Sequence, residues 1–150
     1  MAQTDWQEPF TRFSELYAEA KKVVSKDPNA MSLATVDKQG RPSVRIVLLK
    51  DFDARGFVFY TNHQSAKGKA LQETHQAALN FYWPALDQQV RVEGTVETVD
   101  GAESDAYFAS RPRVSQLGAW ASEQSSPLQS REILEQRLTH LTAQYENKPI

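Results

Sequence analysis

The residues of this sequence best suited to chemistry are cations, amides and hydroxyls. Arg45 and Lys50 bracket the aliphatic run Ile46-Val47-Leu48-Leu49. Arginine offers a planar fork to a phosphate and lysine a point charge, so the pair can form an anion site. A buried strand with solvated ends would show the same pattern. Ser65-Ala66-Lys67 opens a stretch of helical character. Free N–H groups and the helix dipole favour an anion there, and Lys67 adds charge; a capped surface helix is the alternative. Tyr107, Arg111, Arg113 and Ser115 gather around Pro112. Two hydroxyls and two guanidinium groups near a helix end could hold a second phosphate, or simply form a polar loop. Gln116 to Trp120 and Ser122-Glu123-Gln124-Ser125-Ser126 read as an ordered loop. It could donate hydrogen bonds to a heterocycle or cap the last helix. Phe81-Tyr82-Trp83 reads as core.

Other chemistries lack their residues. The chain has no cysteine, which removes disulfides, thiolate zinc sites, iron–sulfur clusters and thiol catalysis. His63, His75 and His140 lie too far apart for metal-ligand spacing, and no carboxylate pair stands out for acid–base work. The six glycines form neither a dinucleotide fingerprint nor a phosphate loop. With 17 basic and 19 acidic residues the net charge is −2, which argues against a broadly basic nucleic-acid binder. The longest aliphatic run is far short of the roughly 20 residues that span a bilayer. Met1 to Phe10 shows neither a basic nor an apolar leader region, so the expected location is cytoplasmic. A length of 150 residues and a 40% hydrophobic content suit one folded domain, 1–150.

The elements that must position these groups follow from periodicity. Phe10, Phe13, Tyr17, Ala20 and Val24 make one helical stripe within an N-terminal helical segment, 1–28, that Asp27-Pro28-Asn29 ends. Strands are expected over 31–36, 43–50, 57–61, 77–83 and 89–99, with turns at 37–40 and 51–56. Val90, Val92 and Val96 share one face of the last strand, and Gln89, Arg91, Glu93, Thr95 and Glu97 the other. A helix over 65–74 takes Ser65 as its N-cap. Asp100 and Glu103 form a capping box opening a helix to about Ala109. Ser126 and Gln129 form another, with Pro127 at the first helical position and Leu134, Leu138, Leu141 and Tyr145 turned inward. Strands without βαβ alternation predict a mainly β fold with peripheral helices, a small antiparallel barrel or sandwich.

Five phrases in register carry a resemblance over about Phe10 to Pro149. They are Arg45-Ile46-Val47-Leu48-Leu49-Lys50, Phe59-Tyr60-Thr61-Asn62, Gln89-Val90-Arg91-Val92-Glu93-Gly94, Tyr107-Phe108-Ala109-Ser110-Arg111-Pro112, and Ser115-Gln116-Leu117-Gly118-Ala119-Trp120 with Gln124-Ser125-Ser126. Together they resemble the pyridoxine/pyridoxamine 5′-phosphate oxidases, FMN enzymes of vitamin B6 salvage. The resemblance implies an FMN-binding split β-barrel, antiparallel and Greek-key-like, working as a homodimer with FMN between subunits. It implies FMN contacts from Arg45, Ile46, Val47, Leu48, Lys50, Tyr60, Thr61, Lys67, Gln89, Gln124 and Ser125. The phosphate of the B6 substrate would fall to Lys50, Tyr107, Arg111 and Ser115. No protein acid or base is required, and no metal. The implied reaction oxidises pyridoxine or pyridoxamine 5′-phosphate to pyridoxal 5′-phosphate with O2 as acceptor.

Two departures from the family pattern stand out. Ala66 replaces a second basic residue often found beside the lysine, which should weaken FMN binding without abolishing it. The family's C-terminal segment, with its Trp-Gly-Gly stretch and Arg-x-His motif, has no counterpart here. The expectation is therefore impaired folding and little oxidase activity from the 150 residues alone. Two alternatives stay open: a non-catalytic FMN- or pyridoxal-phosphate-binding module, and a split-barrel flavin reductase using a nicotinamide donor. The Tyr107, Arg111 and Ser115 group speaks against the reductase.

Overall fold

A computed structural model of the chain describes residues 7–150; the start of the N-terminal helical segment, residues 1–6, lies outside them. The described residues cluster in two compact units. The first runs to Thr61 and resumes from Ala70 to Val96; the second joins Asn62–Lys69 to Glu97–Ile150.

The first unit is built on a four-stranded antiparallel sheet in the order β2-β1-β5-β6. Its strands are β1 (Ala30–Val36), β2 (Pro42–Leu48), β5 (Gln76–Trp83) and β6 (Gln88–Thr95). Alternation decides the faces. Met31, Leu33 and Thr35 of β1 are buried, with Leu79, Phe81 and Trp83 of β5 on the same side. Helix α1 (Gln7–Val23) lays Phe13 and Ala20 on that face. Phe13 anchors an aromatic cluster, with ring centroids 4.8 Å from Phe52 and Phe57 and 5.0 Å from Phe81. These edge and tilted contacts add about 0.5–1.5 kcal/mol each beyond area burial. The first helix stops at Val23, short of the expected end at Asp27-Pro28-Asn29, where Asp27 takes a left-handed backbone at φ 49 and the Trp83 indole N–H donates to the Pro28 carbonyl at 2.9 Å, tying this segment into the core. The β1–β2 turn closes with Gly40 N–H donating to Asp37 O at 2.9 Å, and Gly40 sits at φ +77, where a side chain would be strained.

One turn and three strand expectations change. The segment 51–56, expected as a turn, forms β3 (Asp51–Asp53) and pairs with β4 (Gly56–Val58) in a separate two-stranded ribbon. The turn proper narrows to residues 53–56, where Asp53 accepts from the Arg55 backbone and side chain at 2.8 Å. β4 therefore stops at Val58 rather than running to Thr61. β2 ends at Leu48, since β1 begins at Ala30 and offers no further partner; Lys50 N–H donates instead to Val58 O. β6 ends at Thr95 for a similar reason. Its neighbour starts at Gln76, and Val96 N–H takes the His75 carbonyl, leaving 97–99 outside the ladder.

The second unit is helical: α3 (Gly101–Ser110), α4 (Arg113–Ala121) and α5 (Arg131–Gln144). The Asp100 cap is as expected, with its carboxylate accepting from Glu103 N–H at 2.7 Å. Two expectations here fail. Gln116 to Trp120 is no loop but the body of α4, which buries Leu117 and Ala121. The last helix starts at Arg131, not Pro127, with Ser130 as N-cap. Residues 123–129 are all exposed, so a helix there would gain no packing, and an unsupported turn is marginal in water. From Ile133 onward the chain has a face to cover: Leu134, Leu138, Leu141 and Tyr145 are half-buried, and Trp120 meets Tyr145 edge-on at 5.4 Å.

Helix α2 (Ala66–Thr74) starts in the second unit and ends in the first. Strands and helices thus share the chain, and among the described residues no helix is long and apolar enough to cross a membrane.

Candidate functional site

Each unit carries its own set of candidate residues. In the first, β2 presents two faces. Arg45 and Val47 turn toward the core side, in register with Leu33 and Met31. Ile46 and Leu48 turn outward, with Ile46 63% exposed. The Arg45 guanidinium is held by its own sheet. Nη1 donates to Thr35 Oγ1 at 2.8 Å, Leu33 O at 3.1 Å and Ser43 O at 3.2 Å, and Nη2 donates to Ser43 Oγ at 2.7 Å. Partial burial pulls its pKa down, since desolvation disfavours the cation. A cation held this way, away from bulk water, interacts more strongly with an anion than a solvated one would. Lys50 is exposed just past β2, and Tyr60 and Thr61 are half-buried just past β4.

Gln89 is on the other edge of the same sheet. It pairs with Tyr82 on the outward face of β6, the strand furthest from β2. Three strand spacings, about 14 Å, separate the two edges, and Arg45 points to the opposite face. The structure therefore does not bring Gln89 and Arg45 of one chain together.

In the second unit the structure does join residues far apart in sequence. Lys67 Nζ lies 3.1 Å from Gln124 Oε1 and 3.5 Å from Ser65 Oγ. Ser65 is fully buried, and its hydroxyl accepts from Gly68 N–H at 3.2 Å, the N-cap expected for α2. This cap fixes a cation at the positive end of a helix, a donor set suited to a phosphate. Ser125, next to Gln124, adopts a left-handed backbone at φ +67.

The Tyr107, Arg111 and Ser115 group sits where α3 breaks into α4. Tyr107 is on α3, Arg111 is its C-cap and Ser115 is in the first turn of α4. The two arginines here divide their work. Arg113 donates its guanidinium to the Tyr145 carbonyl and so ties α4 to the end of α5. Arg111 is half-buried, its guanidinium 6.0 Å from the Phe108 ring centroid, with no carboxylate bonded to it among the described residues.

Three residues that hold the candidates were not singled out from sequence: Thr35, Ser43 and Gln116 as a support for α3. Thr35 was visible in principle, being the one polar residue alternating with Met31 and Leu33 on a core face. The Gln116 amide, expected in a loop that would donate to a heterocycle or cap the last helix, instead donates to Phe108, Ala109 and Arg111 carbonyls.

Comparison with known proteins gives the family and the fold. The family described as pyridoxamine 5′-phosphate oxidase matches residues 17–145. A pyridoxine/pyridoxamine 5′-phosphate oxidase of Myxococcus xanthus strain DK1622 is 58% identical over 143 residues, covering 95% of this chain and 69% of the relative. One from Gloeothece citriformis strain PCC 7424 is 56% identical over 142 residues, covering 95% and 66%. Thus the chain spans about two thirds of the length of these relatives. Among solved structures, PhzG from Burkholderia lata 383, in complex with tetrahydrophenazine-1-carboxylic acid, superposes with TM-score 0.87 at 29% identity, covering 96% of this chain and 73% of that one. A pyridoxamine 5′-phosphate oxidase-related, FMN-binding protein from Nostoc punctiforme PCC 73102 shares the fold at TM-score 0.64 and 18% identity, over 90% of this chain and 73% of its own. Antiparallel sheet, flanking helices and these neighbours define the fold as the split β-barrel of FMN-binding proteins. The chain belongs to the pyridoxamine 5′-phosphate oxidase family.

Proposed function

We propose that this chain binds FMN and a B6 5′-phosphate, serving as one FMN-binding domain that oxidises pyridoxine or pyridoxamine 5′-phosphate to pyridoxal 5′-phosphate with O2 as acceptor. The observation that carries the reading is the presence of two anion-receptive groups of different construction in the second unit. One is Lys67 at the capped start of α2 with Gln124; the other is Arg111, without a carboxylate partner, at the α3–α4 break. We assign the first to the phosphate of FMN and the second, with Tyr107, Ser115 and Lys50, to the phosphate of the substrate. FMN supplies the electron acceptor and the reaction with O2.

The protein's share is binding and orientation. Arg45, braced by Thr35 and Ser43, keeps a positive charge fixed beside β2, while Ile46, Val47 and Leu48 offer backbone and apolar contacts. Tyr60, Thr61, Gln89, Gln124 and Ser125 complete the FMN set. Because Gln89 lies at the far edge and opposite face from Arg45, one FMN can meet both only if they come from different copies, which supports a homodimer. The outward face of β2, with Val44 68% and Ile46 63% exposed, is apolar surface such a partner would cover. The proposed location is the cytoplasm.

The test is an FMN titration followed by flavin fluorescence quenching. Lys67→Ala should weaken FMN binding about 10- to 100-fold, the equivalent of one charged hydrogen bond of about 1.5–3 kcal/mol. Arg111→Ala should leave FMN binding within about twofold and abolish the preference for phosphorylated over free pyridoxine. Collapse of FMN affinity in Arg111→Ala would overturn the two-phosphate assignment. Turnover by these 150 residues alone is proposed to be weak, since they cover only about two thirds of their relatives. A rate of order 1–10 s⁻¹ or above would refute that part.

A further inference from the structure

We propose that Gln116 is a positioning residue for the substrate-phosphate clamp, acting through the end of α3. This inference rests on the assignment of Arg111 to the substrate phosphate.

Its carboxamide reaches three backbone carbonyls at the end of α3. Nε2 donates to Arg111 O at 2.9 Å, Phe108 O at 3.0 Å and Ala109 O at 3.1 Å. Those are two last-turn carbonyls of α3 and that of its C-cap, at the helix end where intrahelical donors run out. Arg111 N–H already closes on Phe108 O at 3.2 Å, and Ser115 and Gln116 N–H both return to Pro112 O, at 2.8 and 3.1 Å. The turn from Phe108 to Gln116 is thus pinned from both sides of Pro112, and the amide is the pin that reaches across it.

Two consequences follow for an anion held by Arg111. First, the Arg111 backbone is fixed on both its N–H and its carbonyl, so the guanidinium starts from a defined root. Less conformational entropy is then lost when it meets a phosphate. Second, the end of α3 carries partial negative charge on exposed carbonyls, which would repel a phosphate beside it. The Gln116 N–H groups neutralise those carbonyls. A hydrocarbon of the same length would keep the packing and lose both effects. Arg113, bonded to the Tyr145 carbonyl, cannot substitute from where it sits.

The experiment compares dissociation constants for pyridoxine 5′-phosphate and unphosphorylated pyridoxine on the FMN-loaded chain. Gln116→Met should weaken pyridoxine 5′-phosphate about 3- to 10-fold, the worth of a neutral hydrogen bond, and leave pyridoxine unchanged. The preference for the phosphorylated ligand therefore falls by that factor. FMN affinity should stay within about twofold. Gln116→His, which can offer one ring N–H at similar reach, should recover part of the preference; a purely structural role predicts no such rescue. If Gln116→Met does not fold, Gln116→Leu, which also removes both donors and adds no charge, takes its place in the same comparison. A folded Gln116→Met or Gln116→Leu with unchanged phosphate preference overturns the inference, provided Arg111→Ala has lost it. If Arg111→Ala keeps the preference, or the unsubstituted chain binds neither ligand, the underlying assignment falls and the inference with it.

Discussion

Gly68 gives the sharpest test of how the Lys67 site is held. A Cβ built on Gly68 would lie 2.5 Å from Asn62 O, 2.6 Å from His63 O and 2.8 Å from His63 C. These neighbours are backbone atoms, so no side chain can swing aside, and the loop must retreat by about 1 Å to reach normal contact. Overpacking of this kind costs about 1–3 kcal/mol. The retreat also strains the Ser65 cap, because Ser65 Oγ both accepts from Gly68 N–H and donates to Asn62 O at 2.6 Å. A lost cap costs about 1 kcal/mol more. Against this stands the helix propensity of alanine over glycine, at most about 1 kcal/mol. Gly68→Ala should therefore destabilise by about 1–3 kcal/mol, a melting temperature lower by about 2–10 °C for a chain of this size. Gly118, inside α4, is the internal control, since a Cβ there meets nothing within 4 Å. Gly118→Ala should gain up to about 1 kcal/mol, or about 2–4 °C. The assay is a pair of thermal melts by far-UV circular dichroism, followed by FMN titration of Gly68→Ala. If both substitutions raise the melting temperature alike, the close approach of residues 62–63 to α2 is wrong, and the argument for a rigid Lys67 goes with it.

Three further outcomes are expected. Thr35→Val keeps the volume but removes the Oγ1 acceptor of Arg45, so it should cost about 0.5–1.5 kcal/mol and weaken FMN several-fold; unchanged FMN titration would separate Arg45 from the cofactor. Asp100→Ala should lose the α3 cap at about 1 kcal/mol, read as a fall of about 2–4 °C, while Asp100→Asn or Asp100→Ser retains most of it. Asp37 is held below the usual carboxylate range, first by the Arg41 backbone N–H, then by the Arg41 side chain and Gln39 N–H. Its folded pKa is depressed, so its contribution is present above about pH 4 and is lost as pH falls through the lower folded value. Asp37→Asn should accordingly flatten the acid limb of melting temperature against pH below about pH 4, with no change in that slope near neutrality.

How much of this was legible in the sequence depends on whether a feature is local. Period-2 alternation in 89–95 located β6 and its inward face, Val90 and Val92, because a buried face imposes its pattern on every second residue. The Ser65 and Asp100 caps were readable for the same reason, since a cap is a contact over three residues. Ser126 and Gln129 show the limit of that logic. The motif has the right spacing, yet the exposed segment 123–129 has nothing to pack on, and tertiary burial rather than capping chose Arg131 as the start. Helix α4 was missed because its two buried residues, Leu117 and Ala121, make too thin a stripe beside Gly118. Strand β3 was missed, and its partner β4 was drawn too long, because three-residue strands carry no measurable period.

The candidate site was only half legible, for a related reason. Strand patterning assigns a residue to one face, but not to a place among strands whose order it does not contain. Arg45 and Gln89 each stood out, and only the order β2-β1-β5-β6 reveals that they occupy opposite edges and opposite faces. Lys67 and Gln124 had the reverse fate: 57 residues apart, they meet at 3.1 Å. Those two contrasts make a single demand on any function for these residues. A ligand using Lys67 and Gln124 can be served by one chain, whereas a ligand using Arg45 and Gln89 calls for two. Affinity for such a ligand should therefore fall with dilution as copies separate, and Gln89→Ala and Arg45→Ala proteins, each weak alone, should on mixing recover sites carrying both native residues. Weak binding that persists unchanged in the mixture would confine the site to one copy and remove Gln89 from it.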